Sequence, residues 1–245
     1  MPTGIKRYYE AIARLQTQVI DSQQDVLQQV AELMANTVKA HGRLFLFGTG
    51  HSHMLAEEAH YRAGGLAAAV PVLLPSLMLH ESAALSTYHE KMMGLAKTLI
   101  DTYRPRPGEM LFVFSNSGVN PVPVEMAMAG KSLGLTVVAI CSLAYARSAN
   151  LSPVGKRLYE IADYVIDNGG EPGDALIPVD GLPCRVGPSS TVLGALLWNC
   201  LITEAAFLLQ EQGITPPIYV ANNLLNSLEH NAKLLDEWGD GNPHL

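Results

Sequence analysis

Along residues 5–40, apolar side chains return every three or four positions: Ile5, Ile12, Leu15, Val19, Val26, Leu27, Val30, Leu33 and Met34, with Gln, Asp and Lys between them. That spacing predicts one long helix with an apolar stripe. It ends at His41-Gly42, glycine being a common C-terminal stop. The pattern then shortens. RLFLFG (43–48) is a brief apolar run closed by glycine and reads as a buried strand, as do AAVPVLLP (68–75), EMLFVFS (109–115), LTVVAIC (135–141) and LYEIADYVIDN (158–168). Helical stretches lie between them: SHMLAEEAHYRAGG (52–65), a segment starting near Glu90 behind a mixed loop, and PVPVEMAMAGKSLG (121–134). SSTVLGALLWNCLITEAAFLLQEQG (189–213) predicts a long, very apolar helix ending at Gly213, and 224–237 a last helix before an end that frays after Trp238.

Strands alternating with helices predict an α/β fold, a three-layer α/β/α sandwich around a five-stranded, mostly parallel sheet, flavodoxin-like or Rossmann-like. No repeat or linker breaks the pattern. Residues 1–245 are therefore expected to form a single domain with its core at about 35–215, the helix 5–40 before it and an extension, 216–245, after it. The net charge of −7 argues against a nucleic-acid or anionic-membrane surface. No apolar run is expected to span a bilayer. The three cysteines form no CxxC pair and the N-terminus has no secretory pattern, so a reducing cytoplasmic setting is expected.

Ligands of parallel α/β sheets sit outside the carboxyl ends of the strands. Two such ends carry small polar loops, FGTGHSH (47–53) and FSNSGVNP (114–121). In the second, Asn120 is a favoured N-cap and Pro121 a favoured first helical residue. Gly118 lets successive N–H groups converge into an anion nest, and Ser115 and Ser117 add hydroxyl donors. The helix dipole favours negative charge at the same place, so a phosphate ester can be held without lysine. An ordinary capped turn is the competing reading. With no GxxxxGK[ST] and no GxGxxG, no nucleotide cofactor is expected.

Three stretches resemble, in order and spacing, the signatures of sugar isomerase (SIS) domains. SNSGVN is similar to SxSGxT/S, FGTGHS to the GxGxS loop of the first strand, and VGPSSTVLGALL (186–197) to the (P)TSST loop opening the last long helix. The resemblance spans about 35–215. DNGGEPGDALI and PPIYVAN…EHNAKLL are closer to a single-SIS branch, although ANNLLNSLEHN departs from its SANxxGGDEHN motif, and Asn120 stands where many relatives have Thr or Ser. The resemblance implies a phosphorylated sugar as ligand, held by Gly50, Ser52, Ser115, Asn116, Ser117, Gly118, Asn120, Ser189, Ser190 and Thr191. It implies no cofactor and no metal. It also implies a homodimer or homotetramer with sites at the subunit boundary.

Aldose–ketose isomerisation through an enediol needs a group that moves a proton between adjacent carbons, and an acid or base that opens the ring. Candidates near the loops are Glu57 or Glu58, then His80, with Glu229-His230 as a further pair. His53, Glu57 and His60 share one helical face. Together with His51 they contain enough ligands for zinc, but not as HExxH. No histidine occurs between Ser189 and Gln212, unlike some phosphoheptose isomerases, which argues against a plain member of that group. The expected activity is isomerisation of a phosphorylated, possibly amino, sugar. A sugar-phosphate sensor without turnover and an etherase-like lyase on an N-acetylated sugar phosphate are the alternatives.

Overall fold

The computed structural model describes residues 3–245. The long first helix, α1, runs Gly4–Lys39. It ends with the Gly42 N–H on the Thr37 carbonyl and the His41 N–H on the Val38 carbonyl. His41, at φ 52°, takes the left-handed position in this double cap, not the glycine.

β1 (Leu44–Gly48), β2 (Ala69–Pro71), β3 (Met110–Phe114), β4 (Thr136–Cys141) and β5 (Tyr164–Asp167) form one sheet in the order β2-β1-β3-β4-β5. Every pairing in it is parallel. Alternation along the strands sorts the core. Leu44 and Leu46 join Phe112, Val138 and Ile166 under α1 and the later helices, whereas Phe45 and Phe47 join Leu111, Val113 and Val137 on the opposite face. Both faces are apolar because both are covered.

The first face carries α1, α2 (His53–Ala59), α7 (Ser190–Glu211) and α8 (Ser227–Trp238). The second carries α4 (Leu95–Thr102) and α5 (Pro121–Ser132). α7 is long and apolar enough by composition to cross a membrane, contrary to the expectation that no run reaches that length. Its Leu193, Leu197, Trp198, Leu201 and Leu209 belong to the core cluster that α1 also enters.

Several elements differ from the sequence reading. α2 stops at Ala59 rather than continuing to 65, and Tyr61 adopts φ 42° just beyond it. The stretch read as loop before Glu90 folds into α3 (Ala83–His89), capped by Ser82. β5 is shorter than 158–168 because 158–160 makes a single 3-10 turn. α6 (Leu143–Ser148) and an antiparallel hairpin of β6 (Ala175–Pro178) and β7 (Arg185–Pro188) were not expected. The C-terminal end does not fray. The Gly241 carbonyl accepts from Arg43 Nη1 at 3.1 Å, and His244 Nε2 meets the Tyr103 hydroxyl at 2.8 Å.

Arg43 ties the amino end of the sheet together. Its guanidinium grips Glu109 in a fork, Nε to Oε1 at 2.9 Å and Nη2 to Oε2 at 3.0 Å, and also donates to the carbonyls of Tyr103 and Arg104. Burial pushes the Glu109 carboxyl up, but hydrogen bonds from Arg43 and Arg106 and the Arg43 charge outweigh it and hold the group below its usual range. A depressed carboxylate contributes stability above its unfolded value of 4.5 and loses it as the pH falls through the folded value. Glu109→Gln leaves a buried guanidinium without its counter-charge and is expected to cost about 3–5 kcal/mol in urea unfolding at pH 7. The gap to wild type should narrow below pH 4.5.

Candidate functional site

At the carboxyl end of the sheet, the loops after β1, β3 and β5 and the residue that follows α3 surround a cavity of about 240 Å³. The β1 loop contributes Thr49, His51 and Ser52. It turns sharply, since the Ser52 N–H donates back to the Thr49 carbonyl at 3.0 Å. A Cβ at Gly48 would run into the Ser52 backbone, so this turn demands glycine there. Below it, buried His53 holds the loop through Nδ1 on the Gly50 carbonyl, with Nε2 3.5 Å from Glu57.

The β3 loop contributes Ser115, Asn116, Ser117 and Asn120. Gly118, at φ 60°, lets it curl, its N–H donating to the Ser115 hydroxyl at 3.3 Å. The expected side-chain cap by Asn120 is not made. Pro121 and Pro123 have no N–H to satisfy, and the Val122 N–H donates instead to the Glu90 main-chain carbonyl at 3.1 Å. The Asn120 amide is thereby left for the cavity. Among the described residues, the N–H groups of Ser117, Val119 and Asn120 have no hydrogen-bond partner. These amides, rather than the first helical turn itself, are the free donors of the loop.

A chain of amides fixes Asn116. The Gly170 N–H donates to Asn168 Oδ1 at 2.9 Å, and Asn168 Nδ2 donates to Asn116 Oδ1 at 3.0 Å, leaving Asn116 Nδ2 unpartnered. Asn168 lies just beyond β5 and is 3% exposed. Opposite, Ser190 opens α7, and Asp174 holds both Ser189 and Ser190. Tyr145 of α6 and Gly173 complete the wall.

Glu90 brings a carboxylate into this cavity. Its Oε2 accepts from the Thr49 hydroxyl at 2.8 Å, so one loop hydroxyl orients it. It lies directly after α3, the helix hidden in a stretch read as loop. Glu90 was therefore passed over for a site role in favour of His80, and Asp174, in the turn before the unexpected hairpin, was not singled out. The only local signals were the Ser82 cap, three residues before the Leu85 N–H that it accepts, and the glycine spacing around Asp174.

Of the residues expected at the site, the structure brings Ser52, Ser115, Asn116, Ser117, Asn120 and Ser190 into the lining of one cavity. Gly50, Gly118, Ser189 and Thr191 stand beside or behind these and do not line it. Glu57, Glu58, His80, Glu229 and His230 do not line it either. Glu58 pairs with Arg62, and His80 is exposed. Glu229 pairs with Lys233 at 2.8 Å, and His230 Nε2 donates to the Ile218 carbonyl. His60 turns to the C-terminal end, its Nε2 on the His244 carbonyl, away from His53 and Glu57.

Comparison with known proteins places this architecture. A family model described as the SIS domain matches residues 7–142, more than half of the chain. A UPF0309 protein of Brucella canis is 40% identical over 240 residues, covering 98% of both chains. The chain is a SIS-domain protein of the UPF0309 family. A UPF0309 protein of Geobacillus kaustophilus is 38% identical over 98% of this chain and 96% of its own. Among solved structures, the fold of this SIS-domain chain matches the phosphoheptose isomerase of Neisseria gonorrhoeae with a TM-score of 0.56. Identity there is 14%, over 83% of this chain and 96% of that one. The phosphoheptose isomerase of Francisella tularensis gives 0.54 at 14% identity, over 84% and 100%.

Gly48→Ala is expected to destabilise this UPF0309 protein by about 1–3 kcal/mol, because the rigid Ser52 backbone cannot give way. Thermal unfolding should show it, at about 2–4 °C for each kcal/mol in a domain of this size.

Proposed function

We propose that the cavity binds a phosphorylated sugar and interconverts its aldose and ketose forms through an enediol. The carrying observation is a carboxylate, Glu90, oriented by Thr49 in a cavity whose lining is mostly hydroxyls and amides and whose second carboxylate, Asp174, is held by Ser189 and Ser190. The free N–H groups of Ser117, Val119 and Asn120 and the hydroxyls of Ser115 and Ser117 receive the phosphate oxygens, as a backbone nest does without lysine. Ser52 and the Asn116 amide hold sugar oxygens.

In this reading Glu90 takes the proton from the carbon beside the carbonyl, giving the enediolate, whose former carbonyl oxygen gains a proton as the neighbouring hydroxyl gives one up. Glu90 returns the proton to the neighbouring carbon, so the sugar is isomerised and the carboxylate regenerated. The role assigned from sequence to Glu57 or Glu58 passes to Glu90, since those two are turned to Arg62 and His53. His51, on the same wall, is the group placed to open the sugar ring. The segments bearing Glu90 and His51 also expose Met54, Leu85, Tyr88, Met92 and Met93, and a second copy of the chain covers them in this reading.

NMR of a panel of sugar phosphates is expected to show aldose–ketose interconversion. Loss of an ether substituent, or shifts without turnover, would replace the isomerase reading by a lyase or a sensor. Glu90→Gln should lower kcat by at least about 10²-fold, the low end for a general acid–base group, with KM little changed. Glu57→Gln and Glu58→Gln should keep most of the rate. An undiminished rate in the Glu90 variant would defeat the assignment. Light scattering should report a dimer or larger, and a monomer at micromolar concentration would remove the second copy from the picture.

A further inference from the structure

The N-terminus of α7 also faces the cavity, and it is already filled from within. Asp174 Oδ1 accepts from the Ser189 N–H at 3.1 Å, the Ser189 hydroxyl at 3.0 Å and the Ser190 N–H at 2.8 Å. Its Oδ2 accepts from the Ser190 hydroxyl. Four donors around one carboxylate leave few lone pairs for anything else.

This contact is built into the chain rather than incidental to it. β6 and β7 pair antiparallel with Ala175 opposite Pro188, so the next positions outward, Asp174 and Ser189, also face each other. Asp174 takes the left-handed conformation, φ 59°, beside Gly173 at φ 85°, which turns its carboxylate back onto the helix. The turn behind it is fixed, since the Gly170 carbonyl accepts from the Ser142 hydroxyl and its N–H donates to Asn168. Ser189 is fully buried and Ser142 likewise.

The charge count on the cavity wall follows. Glu90 and Asp174 are carboxylates, and no Lys or Arg lines the cavity. With the α7 tip occupied, the surface left open to an anion is the amide-rich loop 115–120, with His51 and Ser52 of the β1 loop beside it. A helix tip that would welcome an anion is neutralised by an internal one.

We propose that Asp174 is a specificity-determining residue of this site. By holding the α7 tip it admits sugars with a single phosphate and an uncharged or cationic remainder, and it turns away those with a second anionic group. The inference rests on the sugar-phosphate reading above and narrows its substrate class. A second phosphate would meet two carboxylates with no Lys or Arg in the lining to offset them, and like-charge contacts of this kind are how sites reject close analogues.

The test is calorimetric titration of wild type and Asp174→Asn with a ketohexose monophosphate and the matching bisphosphate. The asparagine keeps an acceptor for the Ser189 and Ser190 donors and removes the charge. Wild type is expected to prefer the monophosphate by at least about tenfold, and the variant to lose most of that preference through tighter bisphosphate binding. A folded variant with the wild-type ratio would overturn the proposal while leaving the sugar-phosphate reading intact. Neither ester binding either protein would overturn that reading and this inference with it. Wild-type crystals soaked with the bisphosphate give a check that needs no variant. A phosphate on the α7 tip with Asp174 displaced refutes the proposal, and Asp174 unmoved with the α7 tip closed to phosphate supports it.

Discussion

In an all-parallel sheet with helices on both faces, no strand has a face of its own to offer solvent, and polar chemistry is confined to the two ends of the strands. The apolar alternation of β1 and β3 sends Leu44 and Phe112 one way and Phe45 and Leu111 the other, so both layers of helices are obligatory. The amino end is then closed by a structural ion cluster, Arg43 with Glu109, and by the chain's last residues. The carboxyl end is left with loops too short and too rich in Ser, Asn and Gly to build a core. The cavity lined by serine hydroxyls and amides lies at that end.

Within that end, two helix tips are treated differently. α5 begins with prolines at its first and third positions, so it asks for few main-chain partners, and the Glu90 carbonyl supplies one. One residue thus links the second-strand crossover to α5 by its main chain and to Thr49 by its side chain. α7 instead receives a carboxylate from the hairpin. The first arrangement frees loop amides for a ligand, and the second consumes them.

The strands β1, β3 and β4, the helices α1, α5 and α7 and the two serine-bearing loops were legible in the sequence because each is a long or strongly patterned stretch with its own glycine or proline boundary. α3 was not, since LSTYHE mixes apolar and polar side chains and its only cap signal is Ser82. Glu90 follows α3 directly, so its place beside Thr49 depends on where that helix ends. The hairpin β6–β7 was hidden by its two four-residue strands, ALIP and RVGP, each ending in proline and the second carrying a glycine. Glu57 and Glu58 stood out because they follow the first loop in sequence. Yet on α2 Glu57 sits 3.5 Å from His53 and Glu58 pairs with Arg62, and neither lines the cavity. Proximity along the chain did not bring either carboxylate into the lining.

The hairpin is also fastened to the first two turns of α1. The Tyr8 hydroxyl donates to the Pro188 carbonyl at 2.7 Å, Arg7 donates to the Pro178 carbonyl, and the Tyr8 ring occupies the space that a side chain at Gly187 would need. Residues 180 positions apart in the chain thus meet at one contact. A side chain at 187 would have to adopt φ 80° as well as clear the Tyr8 ring, so shrinking Tyr8 alone would not make room for one, and glycine there keeps the loop above the cavity seated on the opening helix.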